Sequence, residues 1–391
     1  MNSLKALHVI PSISPKRGGP STAVLAMVDA LREVSVDAAI LTTNDHGPDQ
    51  DLGIKTGHWI EWNGVPIIAF PRWRPPCRAV REYAFSPALN IWLASHIHNY
   101  DLLHIHAVFS YPSTSAMAQA RLQRIPYIVR SIGQLSPWSL SQSAGRKQLM
   151  MKLIERRNIN AARAIHFTST AERDESLPLR LKPKSLVIPL GVPYFNAQLN
   201  LTQSSNSIVR FLFLSRIHPK KQLDKLLQAL ALVKNHHPEY RWQLRIAGSC
   251  DSTYATLLQN QAAKLGLTNN CQWLGFLQGD NKWRELQNAD WFVLPSAAEN
   301  FGISVVEAMA AGTPVVISPH VAIAATVEQA QAGIITPSDS ASLSNALLKA
   351  MNSSSESMGL AARTLARQIY SWTSIATKLK SSYLDIARAS N

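Results

Sequence analysis

The chain has 391 residues, 46% of them hydrophobic and 16% charged, too long for one ordinary core and apolar enough to build two. A formal net charge of +14 favours an anionic partner, whether nucleic acid, acidic lipid or a phosphorylated substrate. No run approaches the ~18 apolar residues of a membrane span, the N-terminus lacks a secretory pattern, and Cys77, Cys250 and Cys271 have neither metal spacing nor an even framework, so a reducing cytoplasm is expected.

In the first half, strands are read at LKALHVI, AAILTT, VPIIAF, LLHIHA, PYIVRS, AIHFTS and SLVIPL. Most are continuously apolar, as expected of a parallel sheet covered on both faces. Gly18-Gly19-Pro20 follows the first strand and should form a tight loop at a helix start. Asp49-Gln50-Asp51 spells D-x-D but reads as a solvated acidic loop. The segment PRWRPPCRAVREYAF places Arg72, Arg74, Arg78 and Arg81 among aromatics; no recognition motif accompanies them, so nucleic acid is not expected. His104 and His106 alternate along one strand and face one side, yet the sequence offers no third ligand beside them, so no metal is expected. In GRKQLMMKLIERRNINAAR, Lys152, Arg156 and Arg163 share a helical stripe while Arg146 and Arg157 intrude on the apolar arc. An interfacial helix and a packed helix with snorkelling cations both fit that pattern.

The polar, strand-poor PYFNAQLNLTQSSNSI separates the halves. It sets a first domain at residues 1–192, a linker at 193–207 and a second domain at 208–370, with residues 371–391 forming an amphipathic helix that crosses back to the first. Strands recur at VRFLFLS, WQLRIAG, CQWLGF, WFVLPS, PVVISP and AGIITP, with helical pieces such as LDKLLQALALVKNHH between them. That is a βαβ pattern twice over. The expected fold is α/β, two doubly wound Rossmann-like domains facing a cleft.

The chemistry concentrates in two strand-to-helix turns of the second half, where open parallel sheets bind ligands. SRIHPKKQ carries Arg216 and Lys221, with Lys220 adjacent, and the spacing does not decide which lysine points inward. After WFVLPS comes Glu299, then Phe301-Gly302 opening a helix to about Ala311, which Gly312 and Pro314 end. Glu307 lies just over one turn inside. Two cations for phosphate and two carboxylates for hydroxyls suit a nucleotide sugar, and the free N–H groups of the helix's first turn favour a diphosphate. Gly248-Ser249 and Leu274-Gly275-Phe276 are also strand-end turns, a weaker signal.

With PSAAENFGISVVEAMAAGTPVV and SRIHPKK on the page, the chain resembles the retaining GT-B glycosyltransferases of lipopolysaccharide, exopolysaccharide and glycolipid synthesis. The resemblance covers nearly the whole chain and is strongest over residues 209–337. It implies that Glu307 binds the donor ribose, that Glu299 with Asn300, Phe301 and Gly302 holds the donor sugar, and that Arg216 and Lys221 clamp the diphosphate. Arg216, Lys221 and Glu299 would thus be the catalytic set. It also implies donor contacts from Gly18, Gly19, Gly248 and Leu274, and an acceptor side at His106, Arg130, Ser131 and Gln134. Two positions depart from the pattern: Ile132 stands where related enzymes carry a histidine, and Gln222 where they carry a glycine. The resemblance implies a hexosyltransferase acting with retention on a glycan or lipid-diphosphate-linked acceptor, without metal or other cofactor. It would be cytoplasmic, with an anionic membrane surface as a further partner. A sugar-nucleotide epimerase and a non-catalytic binding subunit remain the alternatives.

Overall fold

The computed structural model describes residues 3–47, 49–193, 208–249 and 252–388. Apart from Pro193, the expected linker lies outside the described residues. Two compact units result: residues 1–191 with 372–391, and residues 192–371.

The first unit is an eight-stranded sheet. Its strands are β1 (Lys5–Val9), β2 (Asp37–Thr43), β3 (Trp59–Trp62), β4 (Val65–Phe70), β5 (Leu102–His106), β6 (Tyr127–Arg130), β7 (Ala164–Phe167) and β8 (Lys184–Val187), in the order β3-β4-β2-β1-β5-β6-β7-β8. Every neighbouring pair is parallel except β3 with β4. That edge hairpin turns on Asn63 (φ 51°) and Gly64 (φ 80°), the left-handed pair that a two-residue turn requires. Helix α1 (Gly19–Glu33) follows β1, and α2 (Tyr111–Leu122) follows β5.

The second unit has β9 (Val209–Leu214), β10 (Trp242–Ala247), β11 (Cys271–Gly275), β12 (Trp291–Leu294), β13 (Val315–Ile317) and β14 (Gly333–Ile335), all parallel, in the order β11-β10-β9-β12-β13-β14. Helix α3 (Gly279–Asn288) precedes β12, and α4 (Ile303–Ala311) follows it. Strand order reverses beside β1 in the first unit and beside β9 in the second. Loops diverge at such points and leave a crevice at the strands' carboxyl ends.

The last helix, α5 (Trp372–Arg388), belongs to the first unit. Its buried residues Ile375, Ala376, Leu379 and Tyr383 recur at helical spacing and form one face. Lys380 caps the end of α1 by donating to the carbonyl of Val34 at 2.5 Å.

The structure bears on two expectations about the charged segments. Arg72 is buried against Asp45 and Asp51, Arg74 pairs with Asp51 at 3.0 Å, and Arg81 pairs with Asp49 at 3.0 Å. Asp49 and Gln50 stay exposed, as a solvated loop requires, and the two D-x-D carboxylates also serve as counter-charge for Arg72, Arg74 and Arg81, which are engaged within the unit. The second basic segment is not one regular helix. A helical piece (Ala144–Met150) runs through a π-helical turn (Met151–Glu155) into another (Arg156–Asn160), and Arg163 lies beyond its end. The extra residue in the turn rotates Glu155 inward, fully buried, where Thr114 of α2 donates to it.

Candidate functional site

In the second unit the loops after β9 and β12 are sewn together. The carbonyl of Lys220 accepts from the Ala297 N–H at 2.8 Å and the Ser296 hydroxyl at 3.1 Å. The chain then tightens into a single turn (Pro219–Lys221), and Gln222 takes φ 54° to start the helix Leu223–His236. This left-handed backbone explains why glycine suits the position. It also turns the Lys221 side chain inward, so the sequence's ambiguity resolves: Lys221 is buried and ion-paired with Glu299. Arg216 stands exposed at the end of β9.

Glu299 is held by its backbone. Its N–H donates to His320 and its carbonyl accepts from Ala322, each at 3.0 Å, which fixes the carboxylate toward Lys221. Phe301 is buried with its ring 5.8 Å from that of Tyr370, while Asn300 is exposed. Gly302 (φ 85°) caps α4, and a Cβ there would lie 3.1 Å from the Val321 side chain. One turn into α4, Glu307 is only 9% exposed and accepts from Lys282 of α3 at 2.6 Å. Burial raises its pKa, and Lys282 offsets part of that rise. The site is thus two lysine–carboxylate pairs flanking the N-terminus of a helix.

Lys282 was missed from the sequence because nothing in GDNKWREL marks it; only the packing of α3 beside α4 brings it to Glu307. Gly248 has a backbone reason of its own, since a Cβ there would stand 1.7 Å from the Ser215 carbonyl oxygen. Leu274 is half-buried at the end of β11.

In the first unit a pocket of about 250 Å³ opens at the reversal beside β1, lined among others by Ser12, Arg17, Asp45, Phe109, Ile132 and Gln134. Four of its lining residues, Ala84 (φ 58°), Ala107 (φ 76°), Phe109 (φ 59°) and Ile132 (φ 52°), hold left-handed backbone. Such conformations cost about 1–3 kcal/mol each and cluster where function over-determines the chain. For β-branched Ile132 the conformation is an outlier. Glycine's freedom serves Gly18 (φ 85°), which caps α1, and Gly19 is that helix's first residue. Asp45 holds Arg17 by two bonds of 2.7 and 2.8 Å, and Arg17 reaches Glu82 at 2.8 Å. Burial works to raise the Asp45 pKa, and Arg17 and Arg72 overcome it, so the carboxyl ionises below its usual range.

The acceptor-side expectations divide. Gln134 lines the pocket, with its carbonyl accepting from the Val108 N–H at 2.6 Å. His106, Arg130 and Ser131 do not: they are 0%, 1% and 0% exposed, because β5 and β6 are interior strands whose ends are covered. The placement of these three against a ligand is therefore corrected; they lie inside the unit. Ser131 donates to Glu172 at 2.7 Å, and so does the Gly133 N–H, so Glu172 clamps the loop that carries Ile132. Burial would raise the Glu172 pKa, but hydrogen bonds from Thr168, Ser131 and Gly133 hold it below the usual carboxylate value. The sequence did carry a trace of this residue: Ser169-x-x-Glu172 is a helix-start signature, and the Ser169 hydroxyl accepts from the Glu172 N–H at 3.1 Å. The third histidine beside this pair is His8 of the first strand, brought level with His104 by the pairing of β1 with β5.

Two doubly wound units, one with a lysine–carboxylate site at its reversal, make up the GT-B architecture. The family described as glycosyl transferases group 1 matches residues 204–365, and the glycosyl transferase 4-like domain matches residues 18–191. The chain belongs to the group 1 glycosyltransferases. It is 25% identical over 343 residues, 86% of this chain and 81% of the relative, to the GDP-mannose:cellobiosyl-diphosphopolyprenol alpha-mannosyltransferase of Komagataeibacter xylinus. It is 34% identical over 180 residues to the phosphatidyl-myo-inositol mannosyltransferase of Mycobacterium leprae, spanning 46% of that protein's length. Among solved structures, Anabaena HepE in complex with UDP and glucose superimposes with a TM-score of 0.68 at 20% identity, over 98% of this chain and 100% of that one.

Proposed function

We propose that this glycosyltransferase moves a hexose from a nucleoside-diphosphate sugar to a sugar hydroxyl of a glycan or lipid-diphosphate-linked acceptor, with retention at the anomeric carbon. The observation that carries the reading is the double pairing Lys221–Glu299 and Lys282–Glu307 about the N-terminus of α4. A donor would exchange these internal partners for its own groups. Phosphate oxygens take Lys221, exposed Arg216 and the helix N-terminus, while the freed carboxylates accept from hydroxyls, Glu299 from the hexose and Glu307 from the ribose. As the bond from anomeric carbon to phosphate oxygen breaks, negative charge grows on the leaving diphosphate, and those cations stabilise it without a metal. The acceptor oxygen bonds to the same face of the carbon, and its proton passes to the departing phosphate oxygen. The acceptor is assigned to the strained pocket beside β1. Relatives named for GDP-mannose and lipid-linked acceptors, and a fold neighbour holding UDP and glucose, support this choice of substrates.

The site is tested by thermal stabilisation against a panel of nucleotide sugars, followed by assay of nucleoside diphosphate release with and without glycan acceptors. Release that needs an acceptor, and a product keeping the donor's anomeric configuration by NMR, support the proposal. An inverted product overturns retention, and donor binding without any transfer favours the binding subunit.

The membrane side of the reading rests on the broken helix of residues 144–160. Leu140, Met151 and Leu179 line a groove of about 690 Å³ together with Lys147, Lys152 and Arg156, and Trp138, Leu149, Leu153 and Leu177, close to these in sequence, are exposed. Apolar anchors amid cations suit an anionic bilayer surface. Among the described residues no helix is long and apolar enough to cross a membrane. Co-sedimentation with anionic but not neutral vesicles is expected; equal binding to both removes this part of the proposal.

A further inference from the structure

The first unit buries four imidazoles side by side. His8 on β1, His104 and His106 on β5, and His166 on β7 are all fully covered, as is Tyr383 of α5. Strand register brings them together: His8 is level with His104, His106 with Arg130, and Arg130 with His166. Six contacts join them end to end. Arg130 Nη1 lies 3.4 Å from His106 Nδ1, and His106 Nε2 lies 3.0 Å from His8 Nδ1. His8 Nε2 lies 3.4 Å from the Tyr383 hydroxyl, which lies 2.6 Å from His104 Nδ1. His104 Nε2 lies 3.2 Å from His166 Nδ1, and His166 Nε2 lies 2.8 Å from the Ile188 carbonyl oxygen.

The two ends settle every proton between them. A guanidinium only donates and a carbonyl oxygen only accepts, whereas a neutral imidazole does one of each. Starting from Ile188, His166 must carry its proton on Nε2, so its Nδ1 accepts from His104 Nε2–H. His104 Nδ1 then accepts from the Tyr383 hydroxyl, whose oxygen accepts from His8 Nε2–H. His8 Nδ1 accepts from His106 Nε2–H, and His106 Nδ1 accepts from Arg130. Starting from Arg130 gives the same assignment. A second proton on any ring would set two donors against each other. Burial and the neighbouring Arg130 agree with neutrality, holding His8 down to about 3 and His166 to about 4. Arg130 itself is lowered by burial only to about 10 and remains a cation.

We propose that Tyr383 is a positioning residue: its hydroxyl joins two histidine pairs into one unidirectional hydrogen-bond chain that anchors the Arg130 guanidinium, and with it the loop of residues 131–134 beside the first unit's pocket. The consequence for acceptor binding rests on the function proposed above, but the chain itself can be tested without substrate. A cation held by His8, His104 and His106 is the competing use of these rings, since their ligand nitrogens lie within 4.8 Å of one another. It would have to break the bonds already made and sit beside the guanidinium charge.

The test uses the full chain labelled with 15N-histidine. In the unaltered protein the four buried rings, assigned by single substitutions, should all appear as neutral Nε2–H tautomers with slowly exchanging ring protons. One of them protonated on Nδ1, or on both nitrogens, overturns the proposal, and so does one equivalent of metal per chain in the purified protein. Tyr383→Phe keeps the ring but removes the hydroxyl. It should release the His8 ring proton to exchange and speed exchange of the Gly133 amide about five- to tenfold, the effect of losing about one hydrogen bond locally. Arg130→Met should free His106 to change tautomer, and Arg130→Lys, which still donates, should restore it. Tyr383→Phe with an unchanged His8 signal and unchanged Gly133 exchange refutes the positioning role. If these signatures hold and no nucleotide sugar is turned over, the proposed transfer fails, and with it the consequence for acceptor binding, while the hydrogen-bond chain stands.

Discussion

Lys282 and Glu307 meet at 2.6 Å between two neighbouring helices of the second unit, so the carboxylate assigned to a ribose has a cation beside it before any ligand arrives. Burial already raises the Glu307 pKa, with Lys282 restraining the rise. Ribose hydroxyls need the ionised form as acceptor. Lys282→Met should therefore raise the pKa further, and nucleotide affinity should be lost at a higher pH than in the unaltered protein as pH falls. Calorimetric titrations at several pH values check this; superimposable pH profiles would mean that Lys282 does not govern Glu307.

Lys221 and Glu307 should fail differently when truncated. Lys221→Ala removes charge stabilisation from the leaving group, so turnover should fall by about 10²–10³ while nucleotide affinity changes little. Glu307→Ala removes a charged hydrogen bond present in the ground state, so nucleotide affinity should fall about tenfold or more. Single-turnover rates and direct binding separate the two. Unchanged kinetics in both variants would overturn the site.

Gln222 sits at φ 54° with its side-chain Oε1 buried and without a partner among the described residues. Gln222→Gly relieves both costs and forfeits some unfolded-state entropy, leaving a net gain of about 1 kcal/mol. The melting temperature of the second unit should rise by about 2–4 °C, with kcat and KM unchanged. A lower melting temperature would contradict this account of the turn.

Glu155 is fully buried at the π-helical turn, and burial pushes its pKa up to about 7. A carboxyl with a raised folded-state pKa binds more protons folded than unfolded. Its contribution to stability is therefore full at low pH and lost as pH rises from the unfolded value, about 4.5, through 7. Glu155→Gln should flatten the stability profile over that window and stabilise the protein above pH 7. Denaturant titrations at pH 5 and pH 8 measure it, and an equal effect at both would refute the assignment.

The buried strands announced themselves because parallel strands covered on both faces are continuously apolar. Edge strand β3 did not, being half-exposed, although Asn63-Gly64 was a hairpin signal in plain view. In the second unit, Glu299, Glu307, Arg216 and Lys221 were legible because they lie within the two strand-to-helix turns that form the site. Lys282 and the choice of Lys221 over Lys220 were not, since both depend on helix packing and on one left-handed residue. The first unit misled more. His106 and Arg130 end their strands as pocket residues would, yet the partners that cover them, His8, His166 and Tyr383, come from distant parts of the chain. Ile132 looked like a missing histidine; in the structure its position is first a backbone constraint, fastened by Glu172.

The assignment of α5 to the first unit has a consequence for biosynthesis. A ribosome releases the 191 leading residues long before it reaches Tyr383, so the first unit emerges with one flank of its core uncovered and its buried rings unjoined. The second unit is a single continuous stretch and is complete first. Maturation should therefore run against the usual amino-terminal-first order, with the earlier-made half waiting for the last helix.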